Sequence, residues 1–342
     1  MKKKSRLGEA VKVLIGLSIT AFALYFFFRS VDTGKILEAI RKTSPAVILA
    51  CVMLTVLSLY LRSLRLGVLL PERPGADKRN LFQVVTIAFM INNVLPARLG
   101  EAARVFLLCR NNRYSVHVSL GSLAVERLMD SLFYALFIAV PSLLLLPLLA
   151  GKKFFGQVDV MVAVRFGWIA AACAISVLLL FRIFPGMFFR LGDRMAAKNG
   201  TWTGKLARHL MILFRESTEW MFSRKKSLLV LALTPAVILC YTAMIFLQCR
   251  TLGVVIGIVP VMFVAGVIAF GVAVPSSPGY VGTLHLAMRE ALVIFGADRD
   301  TASAVAILYH ILSWAVTVLL GLYFYFKMDV SFKDIKAAKE KQ

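Results

Sequence analysis

Long apolar segments alternate with short polar segments along most of the chain. Six of the apolar runs approach the ~20 residues that a helix needs to cross the ~30 Å hydrocarbon core of a bilayer. They cover residues 11–28, 45–60, 132–149, 167–181, 228–246 and 304–325. The pattern predicts an all-α polytopic membrane protein, with about six full spans in a single membrane domain that covers residues 1–342.

Two further apolar segments, 81–95 and 254–274, are each followed by proline, glycine and polar residues. Irregular backbone is not tolerated against lipid, because its N–H and C=O groups would have no partner there. We therefore expect two re-entrant hairpins built from broken helices, with eight full spans as the alternative. The residues that define the breaks are Pro96, Gly100, Pro275, Pro278, Gly279 and Gly282.

The distribution of positive charge predicts the orientation of the chain. Basic residues flank both ends of the first broken segment, and the stretch 182–226 carries ten Lys and Arg against three Asp and Glu. Such residues favour the cytoplasmic side, so we expect both termini there, with 182–226 forming amphipathic helices on anionic lipids of the inner leaflet. The hairpins then enter from opposite faces of the cell (inner or plasma) membrane, as in an inverted repeat of residues 11–150 and 163–327.

Composition supports a membrane protein and argues against other classes. The chain is 59% apolar, with a mean hydropathy of +0.79, well above a typical soluble domain. Its net charge of +22 would suggest nucleic acid in a soluble protein. Here the basic residues lie mainly in loops between spans and no nucleic-acid motif accompanies them. The five cysteines show no CxxC spacing, and we predict neither a metal nor a cofactor.

Ionisable and polar residues at membrane depth are candidates for a binding site, because lipid penalises them. Helices that start after each break would direct N-terminal N–H groups at an anion. The first set follows the first break or enters the third span, and comprises Asn93, Arg98, Glu101, Arg104, Glu126, Arg127 and Asp130. The second set belongs to the second hairpin and the last span, and comprises Ser277, Tyr280, Arg289, Glu290 and His310.

Two points of interpretation concern the first set. Glu126 and Asp130 are four residues apart, so they share one face of a helix and can form a charged cluster with the first hairpin. The alternative is an ion-pair network that only holds the hairpin in place. Arg62 and Arg65 are interpreted as ordinary basic residues that reach from a span end to the interface.

The strings 93–104, 126–130 and 275–282, together with His310, resemble the lysylphosphatidylglycerol synthase transmembrane region, also called the flippase-like or UPF0104 family. The resemblance covers nearly the whole chain. In two-domain members it implies a membrane module that moves an aminoacylated phospholipid between leaflets and a soluble domain that makes that lipid. Only residues 328–342 follow the last span, so we expect no synthase domain and no enzyme activity.

These observations lead to a functional prediction. We expect a flippase-like translocase that holds an anionic or aminoacylated phospholipid, or a polyprenyl-phosphate lipid, in a central cavity. Arg98, Arg104 and Arg127 would bind phosphate, and carboxylates would hold those arginines. The alternatives are a membrane subunit or intramembrane enzyme of lipid modification, and a membrane anchor for a soluble lipid-modifying enzyme as partner.

Overall fold

A computed structural model describes residues 25, 33–72, 77–95, 98–184, 186–187, 190, 194, 218–273 and 278–328. The first predicted span (apart from residue 25) and most of 182–226 lie outside these residues. A two-stranded hairpin, β1 Lys153–Phe154 with β2 Val158–Asp159, and a 3₁₀ turn at Pro278–Tyr280 accompany the helices. The helices are α1 Thr33–Arg41, α2 Pro45–Leu69, α3 Leu81–Val94, α4 Leu99–Asn112, α5 Val116–Leu149, α6 Val160–Ile183, α7 Glu219–Phe222, α8 Arg224–Thr251, α9 Ile258–Ala273, α10 Thr283–Ile294 and α11 Arg299–Lys327.

Within the described residues, five helices are long and apolar enough to cross a membrane: α2, α5, α6, α8 and α11. They correspond to five of the six predicted spans, and the helical polytopic fold is confirmed. Helix starts follow local capping, since the hydroxyl of Ser44 accepts from the Ala46 N–H and that of Ser115 from the Val118 N–H. The cap at Ser115 starts α5 well before residue 132, so the charged residues at 126–130 belong to the helix itself.

Both broken segments form hairpins. Helices α3 and α4 have 14 residues each, which is about 21 Å and too short to span hydrocarbon. The Asn112 side chain, at the end of α4, donates to the carbonyls of Asp77 and Arg79 just before α3, at 2.6 and 2.9 Å. In the second segment, the ring of Phe263 in α9 packs against that of Phe295 after α10, with centroids 5.8 Å apart. Each hairpin therefore returns to the side where it began.

The two arms of the first hairpin are in unusually close contact at Gly100. A Cβ atom at this position would lie 1.9 Å from the Ala88 carbonyl oxygen. The Gly100 N–H, one of the free donors at the start of α4, donates to the Asn92 side-chain oxygen at 2.8 Å. Asn92 thus satisfies backbone near the break, the capping role that such an amide can fill at membrane depth.

The hairpins enter the bundle from opposite ends. Helix α5 begins beside the base of the first hairpin, and the β-hairpin beyond its far end meets the second hairpin, where the Phe155 N–H donates to Glu290 at 3.3 Å. Helix α11 begins after the second hairpin, and Phe324 near its end packs against Phe82 of α3, with ring centroids 5.5 Å apart. Which end faces the cytoplasm, and the division into half-repeats 11–150 and 163–327, stay predictions.

Helix packing places the hairpins at the centre of the bundle. Helices α2 and α8 pack along each other, α3 packs on α11, and α9 packs on α5. The α3–α11 and α9–α5 contacts each require a glycine, because a larger residue would not fit. A Cβ at Gly321 would lie 2.3 Å from Met90, and one at Gly266 would lie 2.6 Å from Ile138. Small residues at such positions let membrane helices approach closely. The first arm of each hairpin therefore packs against the long helix that follows the other hairpin.

Candidate functional site

A cavity of about 310 Å³ lies where the tips of the two hairpins meet the long helices. Its wall is apolar on the side of α9 and carries most of its polar residues on the other sides. Charged residues from α2, α4, α5 and the first break line one polar side, and the second hairpin and α11 line the other. The polar and aromatic lining comprises Arg62, Phe89, Asn92, Asn93, Arg98, Glu101, Arg127, Asp130, Ser131, Tyr134, Tyr241, Gly279, Tyr280, Tyr309, His310, Ser313, Trp314 and Thr317.

A buried ion-pair network lies behind the charged side of the cavity. Glu126 is fully buried and accepts from Arg104 at 2.5 Å, while Arg65 lies 3.2 Å from its other oxygen. Arg65 also donates to Asp130 at 2.6 Å and to the Thr234 hydroxyl at 3.2 Å. The network joins α2, α4, α5 and α8. Because removal of one partner would leave an uncompensated buried charge, these pairs fix the positions of the helices.

Three arginines line the cavity itself. The Arg62 guanidinium stacks 4.7 Å from the Phe89 ring centroid and lies 3.5 Å from Asp130, and its buried Nε has no hydrogen-bond partner within the described chain. Arg127 is partly exposed, with its Nε 3.5 Å from Glu101. Arg98 is exposed at the start of α4. The weaker, longer contacts at the cavity wall leave these guanidinium groups available to a ligand.

The charge of the whole cluster favours an anion. It contains five arginines against three carboxylates, and Arg98 forms no ion pair with any residue that the structure describes. Arg98 also has a left-handed backbone, with φ 52°, at the position before the first turn of α4. The positive end of the helix dipole and an unpaired guanidinium therefore coincide at the cavity.

The interpretation of Arg62 and Arg65 as residues that reach the interface is wrong. Arg62 and Arg65 do not reach to an interface: they are only 6% and 0% exposed and pair with Glu126 and Asp130. Arg62 and Arg65 are three residues apart on α2, and Glu126 and Asp130 are four apart on α5, so each pair lies on one face of its helix. This spacing could have predicted from the sequence that the two pairs face each other. Arg104 lies in the buried network and is not among the residues that line the cavity, and its role in phosphate binding stays a prediction.

The second set of predicted residues is only partly brought to the cavity. Tyr280 and His310 line it. Arg289 and Glu290 lie at the base of the second hairpin, where they pair with each other at 2.9 Å, and Glu290 lies 3.9 Å from Arg299. They hold that base together and are not among the residues that line the cavity, so their role in binding stays a prediction.

The predicted break residues show where the backbone departs from a helix. Gly279 and Gly282 have φ of 68° and 90°, which glycine adopts without steric cost, and Pro278 begins the 3₁₀ turn. Gly100 lies inside the first turn of α4 instead of in the break. Three other predicted residues lie outside the part of the chain that the structure describes: Pro96, Pro275 and Ser277.

The tips of the two hairpins touch beside the cavity. The Trp314 indole N–H donates to the Asn93 carbonyl at 3.3 Å, and a Cβ at Gly279 would lie 3.1 Å from that same oxygen. Below this contact, His310 Nδ1 lies 2.9 Å from His285 Nε2, and both rings are buried. Trp314 was not predicted, although it lies one helical turn after His310 and hence on the same face of α11.

Comparison with known proteins places this arrangement in a family. The profile of the lysylphosphatidylglycerol synthase TM region matches residues 13–321. The chain is 29% identical over 133 residues to the glycosyltransferase AglD of Haloferax volcanii, a match that covers 39% of this chain and 21% of that protein. It is 28% identical over 131 residues to a UPF0104 membrane protein of Methanothermobacter thermautotrophicus, covering 37% of this chain and 38% of the relative.

The matched segments thus span well under half of either relative, and they do not extend the activity in a relative's name to this chain. The profile match is different, because it includes both hairpins, the buried ion-pair network and the cavity between them. The protein is therefore a multi-pass membrane protein that belongs to the lysylphosphatidylglycerol synthase transmembrane-region family.

Proposed function

We propose that the protein is a lipid translocase, which holds a phosphate-bearing headgroup in the central cavity while the acyl chains stay in the bilayer. The observation that carries the proposal is the position of three arginines, Arg62, Arg98 and Arg127, around a cavity between the two hairpins. A cationic cavity at the tips of discontinuous helices is the arrangement in which transporters bind anionic groups at mid-membrane.

Binding would proceed by exchange of ion-pair partners. Arg62 and Arg127 contact Asp130 and Glu101 at 3.5 Å, distances long for charge-assisted hydrogen bonds. A phosphate would gain shorter contacts with these guanidinium groups and with Arg98. The displaced carboxylates would then face the cavity, where they suit the ammonium of a zwitterionic or aminoacylated headgroup.

Release to the other side requires the hairpin tips to separate. The contact of Asn93 with Gly279 and Trp314 closes one side of the cavity, and it consists of one hydrogen bond and a close backbone approach. The ion-pair network at Glu126 is far stronger, so we expect the first hairpin to stay fixed on α5 while the second hairpin moves. Movement of one half against the other would give alternating access.

A leaflet-exchange assay tests the proposal. The purified protein is reconstituted in liposomes with fluorescent phosphatidylglycerol, and lipid that reaches the outer leaflet is measured by chemical quenching. We expect exchange well above protein-free vesicles, reduced about tenfold in Arg98→Ala, because one charge-assisted contact is worth about 1.5 kcal/mol. Arg165→Ala is the matched control, since Arg165 is an exposed arginine of α6 that does not line the cavity.

Equal exchange by the wild-type protein and by Arg98→Ala, across a panel of anionic and zwitterionic lipids, would overturn the translocase. A second proposal, a membrane subunit of a lipid-modifying enzyme, is favoured by the relative that is named as a glycosyltransferase. Formation of a modified lipid by the purified protein, without leaflet exchange, would support that second proposal instead.

A further inference from the structure

The two histidines beside the cavity belong to a hydrogen-bond chain with a defined direction. The Gly282 N–H donates to His285 Nδ1 at 3.4 Å, so the proton of this imidazole lies on Nε2. His285 Nε2 then donates to His310 Nδ1, 2.9 Å away. The proton of His310 accordingly lies on its own Nε2, and this side chain hydrogen-bonds the backbone of Gly279. The two neutral imidazoles thus connect Gly279 and Gly282, at the tip of the second hairpin, to α11.

An added proton would break one hydrogen bond of this chain. On His310 Nδ1 it would oppose the N–H of His285, and on His285 Nδ1 it would oppose the N–H of Gly282. Either position replaces a hydrogen bond by two donors that face each other in a buried site, which costs free energy. Protonation therefore favours separation of one of these pairs, either the two rings or His285 and Gly282, and with it a movement of the tip of the second hairpin.

The contact between the hairpins depends on the same segment. Gly279 carries the close approach to the Asn93 carbonyl, and Trp314 donates to that carbonyl one turn after His310. A movement that separates His285 from His310 displaces Gly279 and disturbs the Trp314 hydrogen bond. The state of the histidine pair is thereby connected to closure of the cavity.

The surrounding charges make the pair sensitive to an anion. Helices α3 and α9 carry no titratable residue, and Arg289 and Glu290 of α10 pair with each other. Glu38 and Arg41 of α1 and Lys153 of β1 are exposed at the surface. The titratable groups that share the cavity with His310 are Arg62, Arg98, Glu101, Arg127, Asp130, Tyr134, Tyr241, Tyr280 and Tyr309.

On this wall three arginines oppose two carboxylates, so the empty cavity disfavours a further positive charge. A bound anionic headgroup reverses the balance. By linkage, the headgroup then strengthens proton binding as much as the proton strengthens headgroup binding.

We propose that the His285–His310 pair is a proton-binding site of the cavity, which is linked to the contact between the hairpins and favours binding of an anionic headgroup. The inference rests on the proposed lipid-binding function, and it assigns the proton as the coupled ion. One proton bound by the pair opens the tip contact, and its release allows the neutral chain from Gly282 to Gly279 to form again.

Fluorescence of Trp314 gives a readout that does not require transport. Trp168, Trp202 and Trp220 are replaced by phenylalanine, and the protein is placed in nanodiscs of phosphatidylcholine with or without phosphatidylglycerol. A protonated imidazole quenches a nearby indole, so we expect fluorescence to fall as the pH is lowered from about 8 to about 5. A coupling of about fivefold would raise the midpoint by about 0.7 pH unit when phosphatidylglycerol is present.

Variants assign the transition to the pair. In His285→Gln the amide rotates to offer its oxygen to a protonated His310, so the midpoint should rise. The double variant His285→Gln/His310→Asn should give a flat profile, whereas His117→Gln, a control on α5, should leave the wild-type transition unchanged.

A flat wild-type profile, or a transition that survives in the double variant, would overturn the proton site. A transition that is insensitive to phosphatidylglycerol would overturn the link to the headgroup. Leaflet exchange measured on the same protein separates the two proposals. A lipid-dependent transition without exchange would refute the translocase but support the proton site, and exchange without any transition would do the reverse.

Discussion

At the scale of single residues, two arginines on one helix have different roles although they are three positions apart. Arg65 is fully buried between Glu126 and Asp130, while Arg62 reaches the cavity and stacks on Phe89. A buried charge with short, multiple contacts holds a structure, whereas one with only longer contacts at a cavity wall can change partners. The two roles could not be read from the sequence, because both residues follow the same apolar run and the carboxylates that distinguish them lie on another helix.

A buried, closely paired arginine and an exposed arginine should differ in how much their substitution lowers stability. Arg65→Met should destabilise the fold by about 3–5 kcal/mol, because Glu126 and Asp130 would lose their closest shared cation inside the bundle. The measurement is thermal unfolding in detergent, followed by size-exclusion chromatography of the heated protein. Arg98→Ala serves as the comparison and should leave the unfolding temperature almost unchanged, since Arg98 is exposed. Equal unfolding temperatures for wild type and Arg65→Met would contradict the assignment of Arg65 to a structural network.

At the scale of elements, the hairpins are the part of the structure that local sequence specifies best. Apolar runs that end on proline and glycine predict a break, and the charge that flanks both ends of the first run predicts its return. The backbone contacts that close the hairpins were less accessible to prediction. Gly100 lies within the helix that follows the break. No side chain fits at this position, because the Ala88 carbonyl of the facing arm occupies the space.

The close contact at Gly100 gives a second prediction. Gly100→Ala would place a methyl group against the Ala88 carbonyl and Asn92, so the arms of the first hairpin would have to separate. We expect a destabilisation of about 1–3 kcal/mol, which is typical of overpacking in a close-packed interior. Thermal unfolding in detergent measures it. Gly257→Ala is the matched control, because a Cβ there would meet only an ordinary contact of 3.7 Å with Pro260.

At the scale of the whole molecule, the two hairpin bases lie at opposite ends of α5 and α11. This follows from contacts of Asn112 with the chain before α3 and of Phe155 with Glu290 in the second half of α10. Sequence-based charge bias predicts that the first base faces the cytoplasm and the second faces outward. Charge predicts on which side of the membrane a loop lies, but it contains no information on which helices pack together. The packing of α3 on α11 and of α9 on α5 therefore could be seen only in the structure.

Cysteine labelling tests this topology. In a variant without the five native cysteines, single cysteines are introduced at Arg79 and at Lys152, both exposed. A membrane-impermeant maleimide added to intact cells should label the Lys152→Cys protein and should reach the Arg79→Cys protein only after permeabilisation. Labelling of both positions in intact cells, or of neither, would show that the hairpins do not enter from opposite faces.

The short length of the hairpin arms has an energetic consequence for a lipid headgroup. A membrane without protein presents one continuous barrier of about 30 Å of hydrocarbon to a charged group. Arms of 12 to 16 residues, about 18–24 Å long, are shorter than that barrier, and the tips of the two hairpins meet at Asn93 and Gly279. A headgroup held between the tips would therefore face two thin barriers in sequence. Because the penalty for a charge increases with its depth in hydrocarbon, two short crossings at a polar resting place require far less activation than one long crossing.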